Sequence, residues 1–122
     1  MVEVRTSSIH GRGAFAVNRI KHGELFHVAH LLVFDCSQSR AVNATVAGHY
    51  VFYIADCPEP DCDVTGLAMS PISFVNHRRP CNASFEVSAT DRTVSFTALR
   101  DIEKGEEITI DYGDFAAKIG IE

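Results

Sequence analysis

Short segments rich in Val, Ile, Phe, Tyr and Thr recur along the whole chain, and each is bounded by Gly, Asp, Asn or Pro. Segments of this composition and length favour β-strands, and the bounding residues favour tight turns. Strands are predicted at residues 2–6, 14–17, 24–28, 31–34, 50–54, 84–87, 93–98 and 107–110. Helix signals are weak and limited to residues 38–45, the Ser70-Pro71 pair and residues 115–119. The pattern therefore predicts a mostly β domain with few short helices.

The chain has no internal boundary. No low-complexity tract or Pro/Ser-rich linker interrupts the 122 residues, so we expect a single domain over residues 1–122. The longest nearly apolar run, residues 28–34, contains His30 and is far shorter than the roughly 20 residues of a membrane-spanning helix. Glu3, with no apolar stretch after it, argues against a secretory signal. We expect a globular protein with no membrane partner.

The cysteines and the net charge disfavour several kinds of site and partner. Four cysteines at irregular spacing are too few for a disulfide scaffold and lack the paired clusters of a zinc site. They are Cys36, Cys57, Cys62 and Cys81. We expect reduced thiols in a cytosol-like compartment and no bound metal. With 11 basic and 16 acidic residues the net charge is -5, which disfavours direct nucleic-acid binding and favours a basic partner.

Residues 16–24 and 98–106 share Ala, Ile, Gly and Glu at identical spacing. Each copy begins at the end of a predicted strand, contains an Ile and reaches the next strand through a turn at Gly. Reuse of one strand-turn-strand device is the favoured interpretation, and an internal duplication is the alternative. Two copies are too few for a repeat protein.

Gly11 and Gly13 lie between two predicted strands, so the pair lacks the strand-to-helix context of a dinucleotide-binding fingerprint. Two interpretations are open. The glycines form a hairpin turn that needs positive backbone dihedrals, or their missing side chains let a small ligand lie against bare backbone amides and carbonyls. The local sequence alone favours the hairpin.

Asn76 and His77 end an apolar stretch abruptly. Burying such a pair is costly unless both side chains are hydrogen-bonded. Taken alone, the pair is best interpreted as a capped helix end with a satisfied histidine. A metal site is disfavoured because His77 and Cys81 have no second, well-spaced pair of ligands.

Residues 105–115, Gly-Glu-Glu-Ile-Thr-Ile-Asp-Tyr-Gly-Asp-Phe, place Tyr112 beside a glycine at the end of a predicted strand. Alone, this segment indicates an amphipathic edge strand with a snorkelling phenol. Residues 101–114 carry six acids against one lysine. A solvated acidic face is one explanation, and a docking surface for a basic peptide is the other.

The order of these features adds information. The glycine pair comes first, then Asn-His preceded by Phe74 and followed by Asn82, then the Gly-Glu-Glu-Ile-Thr-Ile-Asp-Tyr-Gly segment. Over residues 9–115 this order resembles the SET-domain protein-lysine methyltransferases, and the compact length is similar to the minimal viral and bacterial members. The resemblance implies a SET-domain, β-clip-like fold with several short sheets, few short helices and a threaded C-terminal segment. It implies no separate pre-SET or zinc-binding post-SET domain.

The resemblance also implies an activity and a site. SET enzymes transfer a methyl group from S-adenosylmethionine to a lysine amine without a metal. Tyr112 matches the catalytic tyrosine at the base of the lysine channel. The matched cofactor-binding positions are Gly11, Arg12, Gly13, Tyr50, Asn76, His77 and Phe115, and the substrate-binding positions are Tyr50, Tyr53, Ile110 and Tyr112. Ile110 takes the position that commonly governs how many methyls are added, and an aliphatic residue there favours a roomier site.

This chain departs from the family pattern around Asn-His. Ser73 stands where the family usually has Arg, residues 78–79 are Arg-Arg where it usually has Ser-Cys, and Pro80-Cys81 is in inverted order. No cysteine follows Cys81, so the resemblance implies that residues 115–122 or a partner build the lid over the adenine.

Two classes of function are open. A lysine methyltransferase acting on a basic, histone-like peptide is favoured because Tyr112 and the Asn76-His77 pair are intact. A non-catalytic SET-like peptide-binding module is the alternative, motivated by the altered loop. Apolar residues at 31–34, with Ile119 and Ile121, predict a homodimer. The expected location is the cytoplasm, or a host nucleus if the protein comes from a virus or a secreted bacterial effector.

Overall fold

The computed structural model describes residues 2–56 and 63–113, which form nine strands, one α-helix and two short 3-10 helices. The strands are β1 (Val2–Thr6), β2 (Arg12–Ala16), β3 (Leu25–Phe34), β4 (Val51–Asp56), β5 (Asp63–Ala68), β6 (Asn76–His77), β7 (Ala83–Ser88), β8 (Thr93–Ala98) and β9 (Glu107–Ile110). The helix α1 spans Cys36–Asn43, and the 3-10 helices span Val46–His49 and Pro71–Phe74.

The strands form two sheets. One has the order β1-β2-β9-β6 and the other the order β4-β5-β3-β8-β7. Neighbouring strands are antiparallel except β6 and β9, which run parallel. The prediction of a mostly β fold with several short sheets and few short helices is confirmed. Because β9 lies between β2 and β6, it brings together segments from the start, the middle and the end of the chain.

Three strands differ from the sequence-based expectation. The segments predicted at 24–28 and 31–34 are two halves of β3, and each half has its own partner. Residues 25–30 pair with β8, whereas residues 31–34 pair with β5. Neither β5 nor β6 was predicted. In β5, Gly66 replaces a bulky strand residue because a Cβ there would lie 3.0 Å from the Ile54 side chain, so close packing removed the sequence signal.

The helices begin at capping residues, and α1 starts two residues before the predicted segment 38–45. Asp35 and Gln38 form a capping box at the start of α1, with Gln38 N 2.8 Å from the Asp35 carboxylate. Ser70 caps the 3-10 helix that opens at Pro71, as the sequence predicted. Of the described residues, none form a helix both long and apolar enough to cross a bilayer.

The hydrophobic core joins both sheets around Phe96, which is fully buried and stacks near Phe52 and Phe85 at centroid distances of 6.0 and 6.3 Å. The other fully buried large side chains are Ile72, Val94, Ile102, Ile108 and Ile110. Burying one such side chain contributes about 2 kcal/mol. Since Ile108 and Ile110 belong to β9, their packing in the core fixes the position of this strand.

Residues 16–24 and 98–106 face each other with reciprocal hydrogen bonds. Ile20 and Ile102 form an antiparallel bridge in which each N–H donates to the other carbonyl at 2.8 Å. The glycine of each copy has a φ of 83° and donates its N–H to the alanine carbonyl of the opposite copy at 2.8 Å. The strand-turn-strand device is therefore used twice, and the two copies pair with each other.

The cysteines differ from the expectation of reduced thiols. Cys36 is disulfide-bonded, and Cys81 is a free, partly buried thiol. The prediction is wrong for Cys36, because disulfide pairing depends on proximity in the fold and irregular spacing along the chain does not reveal it.

Candidate active site

The glycine pair lies in the β1–β2 hairpin, so the turn interpretation is correct. Ser7 N donates to Gly11 O at 2.9 Å, and Gly11 has a φ of 46°, which favours glycine. Gly13 is buried, and a Cβ there would overlap the Glu107 carboxylate and lie 3.1 Å from Asn76 Nδ2. The hairpin therefore also lets polar groups approach bare backbone.

Four acceptors surround the side-chain nitrogen of Asn76, which is 7% exposed on β6. They are Oγ of Ser7 at 3.2 Å, the carbonyl oxygens of His10 at 3.1 Å and Arg12 at 3.2 Å, and Oε2 of Glu107 at 2.8 Å. An amide nitrogen carries two protons, so the acceptors outnumber the donors at this point. Such a cluster favours a cationic donor such as an ammonium group.

Glu107 makes this cluster electronegative. Its carboxylate accepts hydrogen bonds from the Ser7 hydroxyl at 2.7 Å and from Asn76. Among the described residues, no Lys or Arg pairs with it. Sequence reasoning counted Glu107 only as one of six acids and did not single out Ser7. No local signal marks either residue, because their partners lie far away along the chain.

Tyr112 follows β9 and is anchored at two points. Its hydroxyl donates to the carbonyl of Val75 at 2.6 Å, and its backbone N–H donates to Nδ1 of His77 at 2.9 Å. The rings of His77 and Tyr112 are 5.1 Å apart. Burial, with smaller contributions from Tyr50 and Glu107, raises the pKa of Tyr112 to about 12. The phenol therefore stays protonated at neutral and mildly alkaline pH.

An aromatic wall adjoins Tyr112. The rings of Tyr50 and Phe74 are 5.1 Å apart, and the Arg12 guanidinium lies 4.8 Å from the centre of the Phe74 ring. This contact is a cation–π interaction. Phe74 thus contacts both Arg12 and Tyr50, two residues that the resemblance assigned to the site. In the sequence, Phe74 stood out only as the aromatic residue before Asn-His.

The remaining predicted positions are Tyr53, Ile110 and Phe115. Tyr53 is 36% exposed on β4, in the five-stranded sheet. Ile110 is fully buried on β9, where it pairs with His77 of β6. Phe115 lies outside the described residues.

The loop that departs from the family pattern is nevertheless attached to β9 and the residues that follow it. Arg78 N donates to Ile110 O at 3.1 Å, and Arg79 Nε donates to the Asp111 carboxylate at 3.1 Å. Asn82 follows this loop and also bonds to β9. A cavity of about 580 Å³ lies beside the loop, and its lining includes Arg78, Arg100 and Glu107. The altered residues thus preserve the attachment of this loop.

The acidic segment does not form an open acidic face. Each described acid between residues 101 and 113 already has a partner within the chain. Asp101 and Glu103 pair with Arg19, Glu106 with Arg100 and Asp111 with Arg79, while Glu107 bonds to Ser7 and Asn76. These pairings neutralise most of the charge that the sequence placed near Tyr112.

Known proteins resemble this chain over most of its length. The family model described as the SET domain matches residues 11–113. A histone-lysine N-methyltransferase of Schizosaccharomyces pombe, H3 lysine-37 specific, is 27% identical over 114 residues, covering 93% of this chain and 74% of the relative. Arabidopsis thaliana MEDEA, a histone-lysine N-methyltransferase, is 30% identical over 111 residues, covering 87% of this chain and 16% of the relative. Danio rerio N-lysine methyltransferase KMT5A-A is 30% identical over 112 residues, covering 85% of this chain and 33% of the relative.

Solved structures share the fold at low identity. A Plasmodium falciparum protein assigned as a histone methyltransferase aligns with a TM-score of 0.65 and 21% identity, covering 93% of this chain and 97% of that chain. A humanized mutant of the Chaetomium thermophilum Polycomb Repressive Complex 2 aligns with a TM-score of 0.71 and 20% identity, covering 93% of this chain and 15% of that chain.

Proposed function

Since the chain belongs to the SET-domain family, we propose that it methylates the side-chain amine of a lysine in a basic, histone-like peptide, with S-adenosylmethionine as the methyl donor. The observation that carries this proposal is the doubly anchored Tyr112 beside the Asn76-His77 pair. The named activities of the relatives support the same reaction class.

A lysine amine must be neutral to accept a methyl group. At pH 7, deprotonating a lysine with an ordinary pKa of about 10.4 costs about 4 to 5 kcal/mol. Desolvation of the ammonium in a channel beside the Tyr50–Phe74 pair and the cationic cofactor lowers that cost, because a low-polarity environment and a like charge both disfavour the charged form. The channel is therefore proposed to promote loss of the proton to solvent.

Tyr112 orients the amine and does not act as its base. Its own proton is donated to Val75 O, so only the lone pairs of the hydroxyl oxygen remain to accept an N–H from the amine. With its pKa raised to about 12, the phenol is not ionised at the pH of the reaction. Holding the amine by one N–H aligns its lone pair for in-line attack.

The acceptor cluster around Asn76 fits the amino-acid end of S-adenosylmethionine. The α-ammonium of that molecule is a cationic donor, and the cluster has more acceptors than protons. Asn76, the carbonyls of His10 and Arg12, and the Glu107 carboxylate would hold this end. When bound, S-adenosylmethionine supplies a methyl group activated by its sulfonium.

The decisive experiment compares the wild type with Tyr112→Phe. Methyl transfer from labelled S-adenosylmethionine to a panel of histones is read by mass spectrometry, and cofactor affinity by calorimetry. Loss of the hydroxyl should lower kcat by about 100-fold, while cofactor affinity stays close to that of the wild type. Equal activity of the two forms would remove the role proposed for Tyr112.

A non-catalytic peptide-binding module is the competing outcome. A ligand that binds only the folded state must raise the melting temperature. No thermal shift with millimolar S-adenosylmethionine, together with no methyl transfer, would favour the binding module over the enzyme.

Homodimerisation stays a prediction. Leu32 is 51% exposed and Leu31 is buried, so of these two side chains that of Leu32 is available to a second subunit. Light scattering that returns the mass of a monomer across micromolar concentrations would remove the homodimer.

A further inference from the structure

The imidazole of His77 is held in one orientation. Its side chain is 8% exposed, and Nδ1 accepts the backbone N–H of Tyr112 at 2.9 Å. A ring nitrogen that accepts a hydrogen bond carries no proton, so the proton of the neutral ring lies on Nε2. The sequence resemblance assigned His77 to cofactor binding and gave its ring no separate role.

Where β9 ends, the His77 ring accepts a hydrogen bond in the place of a neighbouring strand. The parallel pairing of β6 with β9 ends at His77 and Ile110, and Arg78 N donates to Ile110 O at 3.1 Å. Two residues later, the Tyr112 N–H is bonded to the His77 ring. The hydroxyl of Tyr112 is thus bonded to Val75 O and its backbone N–H to His77 Nδ1.

We infer that His77 is a positioning residue for Tyr112, and that protonation of Nδ1 releases the Tyr112 backbone and lowers turnover in acid. This rests on the proposed role of Tyr112 in methyl transfer. A protonated Nδ1 is a donor and faces a second donor, the Tyr112 N–H, so the bond cannot persist.

A new partner for the protonated ring is already close. Oδ1 of Asp111 lies 3.8 Å from Nδ1. That carboxylate also accepts from Gly113 N at 2.8 Å and from Arg79 Nε at 3.1 Å. Among the residues that the structure describes, the charged and titratable groups at the ring are Asp111, Arg79 behind it, and the phenol of Tyr112. An imidazolium would turn toward Asp111 and away from the Tyr112 backbone.

Two substitutions separate positioning from packing. In His77→Asn, the side-chain oxygen can take the place of Nδ1 as an acceptor and does not titrate. In His77→Phe, a ring of similar size remains but the acceptor is lost. We expect His77→Asn to keep kcat within about tenfold of the wild type and His77→Phe to lose about 100-fold. Cofactor affinity should change little in either variant, because the backbone of residue 77 is retained. Equal kcat in the two variants would overturn the inference.

The pH profile provides a readout that a packing role would not move. Deprotonation of the substrate lysine raises kcat with pH in every variant, so the useful quantity is the ratio of wild-type kcat to that of His77→Asn. This ratio should fall by about tenfold or more on acidification, as the wild-type ring takes up a proton. A flat ratio would overturn the inference. His30→Asn, an exposed histidine on β3, is the matched control and should follow the wild-type profile.

A measurement without turnover separates this inference from the proposed function. Long-range ¹H–¹⁵N spectra should show His77 protonated on Nε2 near neutral pH. The Tyr112 amide resonance should titrate with His77 in the wild type and should not titrate in His77→Asn. If the wild type transfers no methyl group at any pH while these spectra are obtained, the proposed function fails and the positioning contact stands. A proton on Nδ1 at neutral pH, or identical titration of the Tyr112 amide in both proteins, would overturn the contact itself.

Discussion

Asn76 and Asn82 are both buried beside β9, at either end of the loop of residues 77–81, yet their surroundings differ. The Asn82 side chain bonds to the strand as a neighbouring strand would. Its Nδ2 donates to Glu107 O at 2.8 Å and its Oδ1 accepts from Thr109 N at 2.8 Å. Each of its polar atoms thus meets a backbone partner of the opposite kind.

Asn76 is placed among acceptors only. Its Nδ2 contacts two backbone carbonyls, one hydroxyl and one carboxylate. A saturated, neutral set of bonds supports the fold, whereas an excess of acceptors with a negative charge is completed by a cationic ligand. The same residue type therefore stabilises β9 at position 82 and is proposed to form part of a binding site at position 76.

The largest expected effect is on stability at position 82. Asn82→Ala leaves Glu107 O and Thr109 N without partners next to the core, and each unsatisfied group costs about 1 to 3 kcal/mol. We expect the free energy of unfolding to fall by about 3 kcal/mol in denaturant titrations. Asn18→Ala, at an exposed loop position, is the control and should change stability by less than about 0.5 kcal/mol. A loss at position 82 no greater than that at position 18 would contradict the structural role of Asn82.

At position 76 the main effect should fall on cofactor binding. Asn76→Ala removes a polar group that faces the proposed ligand, and we expect calorimetry with S-adenosylmethionine to show an affinity at least about tenfold weaker. The free energy of unfolding should fall less in Asn76→Ala than in Asn82→Ala. The substitution at position 76 removes a donor from a site with excess acceptors and leaves no backbone N–H without a partner. Unchanged cofactor affinity would remove Asn76 from the site.

The smallest of these effects concerns the charge of Glu107. Glu107→Gln keeps the shape and one acceptor oxygen but removes the negative charge beside Asn76. A partly screened ion pair contributes about 1 kcal/mol, so cofactor affinity should fall about fivefold and depend less on salt. Glu103→Gln changes an exposed acid paired with Arg19 and serves as the control. If both variants bind the cofactor equally well, Glu107 does not recognise a cationic ligand.

Local sequence predicted most of the strands. The bounds predicted for β1, β8 and β9 match those observed, because alternating β-branched and aromatic residues between turn residues are a local signal. The signal failed at β5, where Gly66 interrupts the strand composition and an added Cβ would lie 3.0 Å from the Ile54 side chain. It also failed at β6, which has two residues and exists only because β9 lies beside it.

The site was predicted in part. Asn76, His77 and Tyr112 were recognised by their order, and the structure brings His77 into contact with Tyr112. Ser7 and Glu107 were missed as contributors because their bond joins positions 100 residues apart. The ion pairs of the acidic segment were not predicted, because arginine partners such as Arg19 and Arg79 lie in other segments of the chain.

The sequence by itself determined the local properties of this protein: strand periodicity, glycines where φ is positive, helix caps, and the presence of one Asn-His pair and one C-terminal tyrosine. These depend on the intrinsic geometry of neighbouring residues. Only the tertiary structure decided that β9 runs between β2 and β6, that the two Ile-Gly turns pair with each other, and that four acceptors converge on Asn76. Such contacts join residues far apart in the chain, and they form only when the whole core repays the entropy of bringing those segments together.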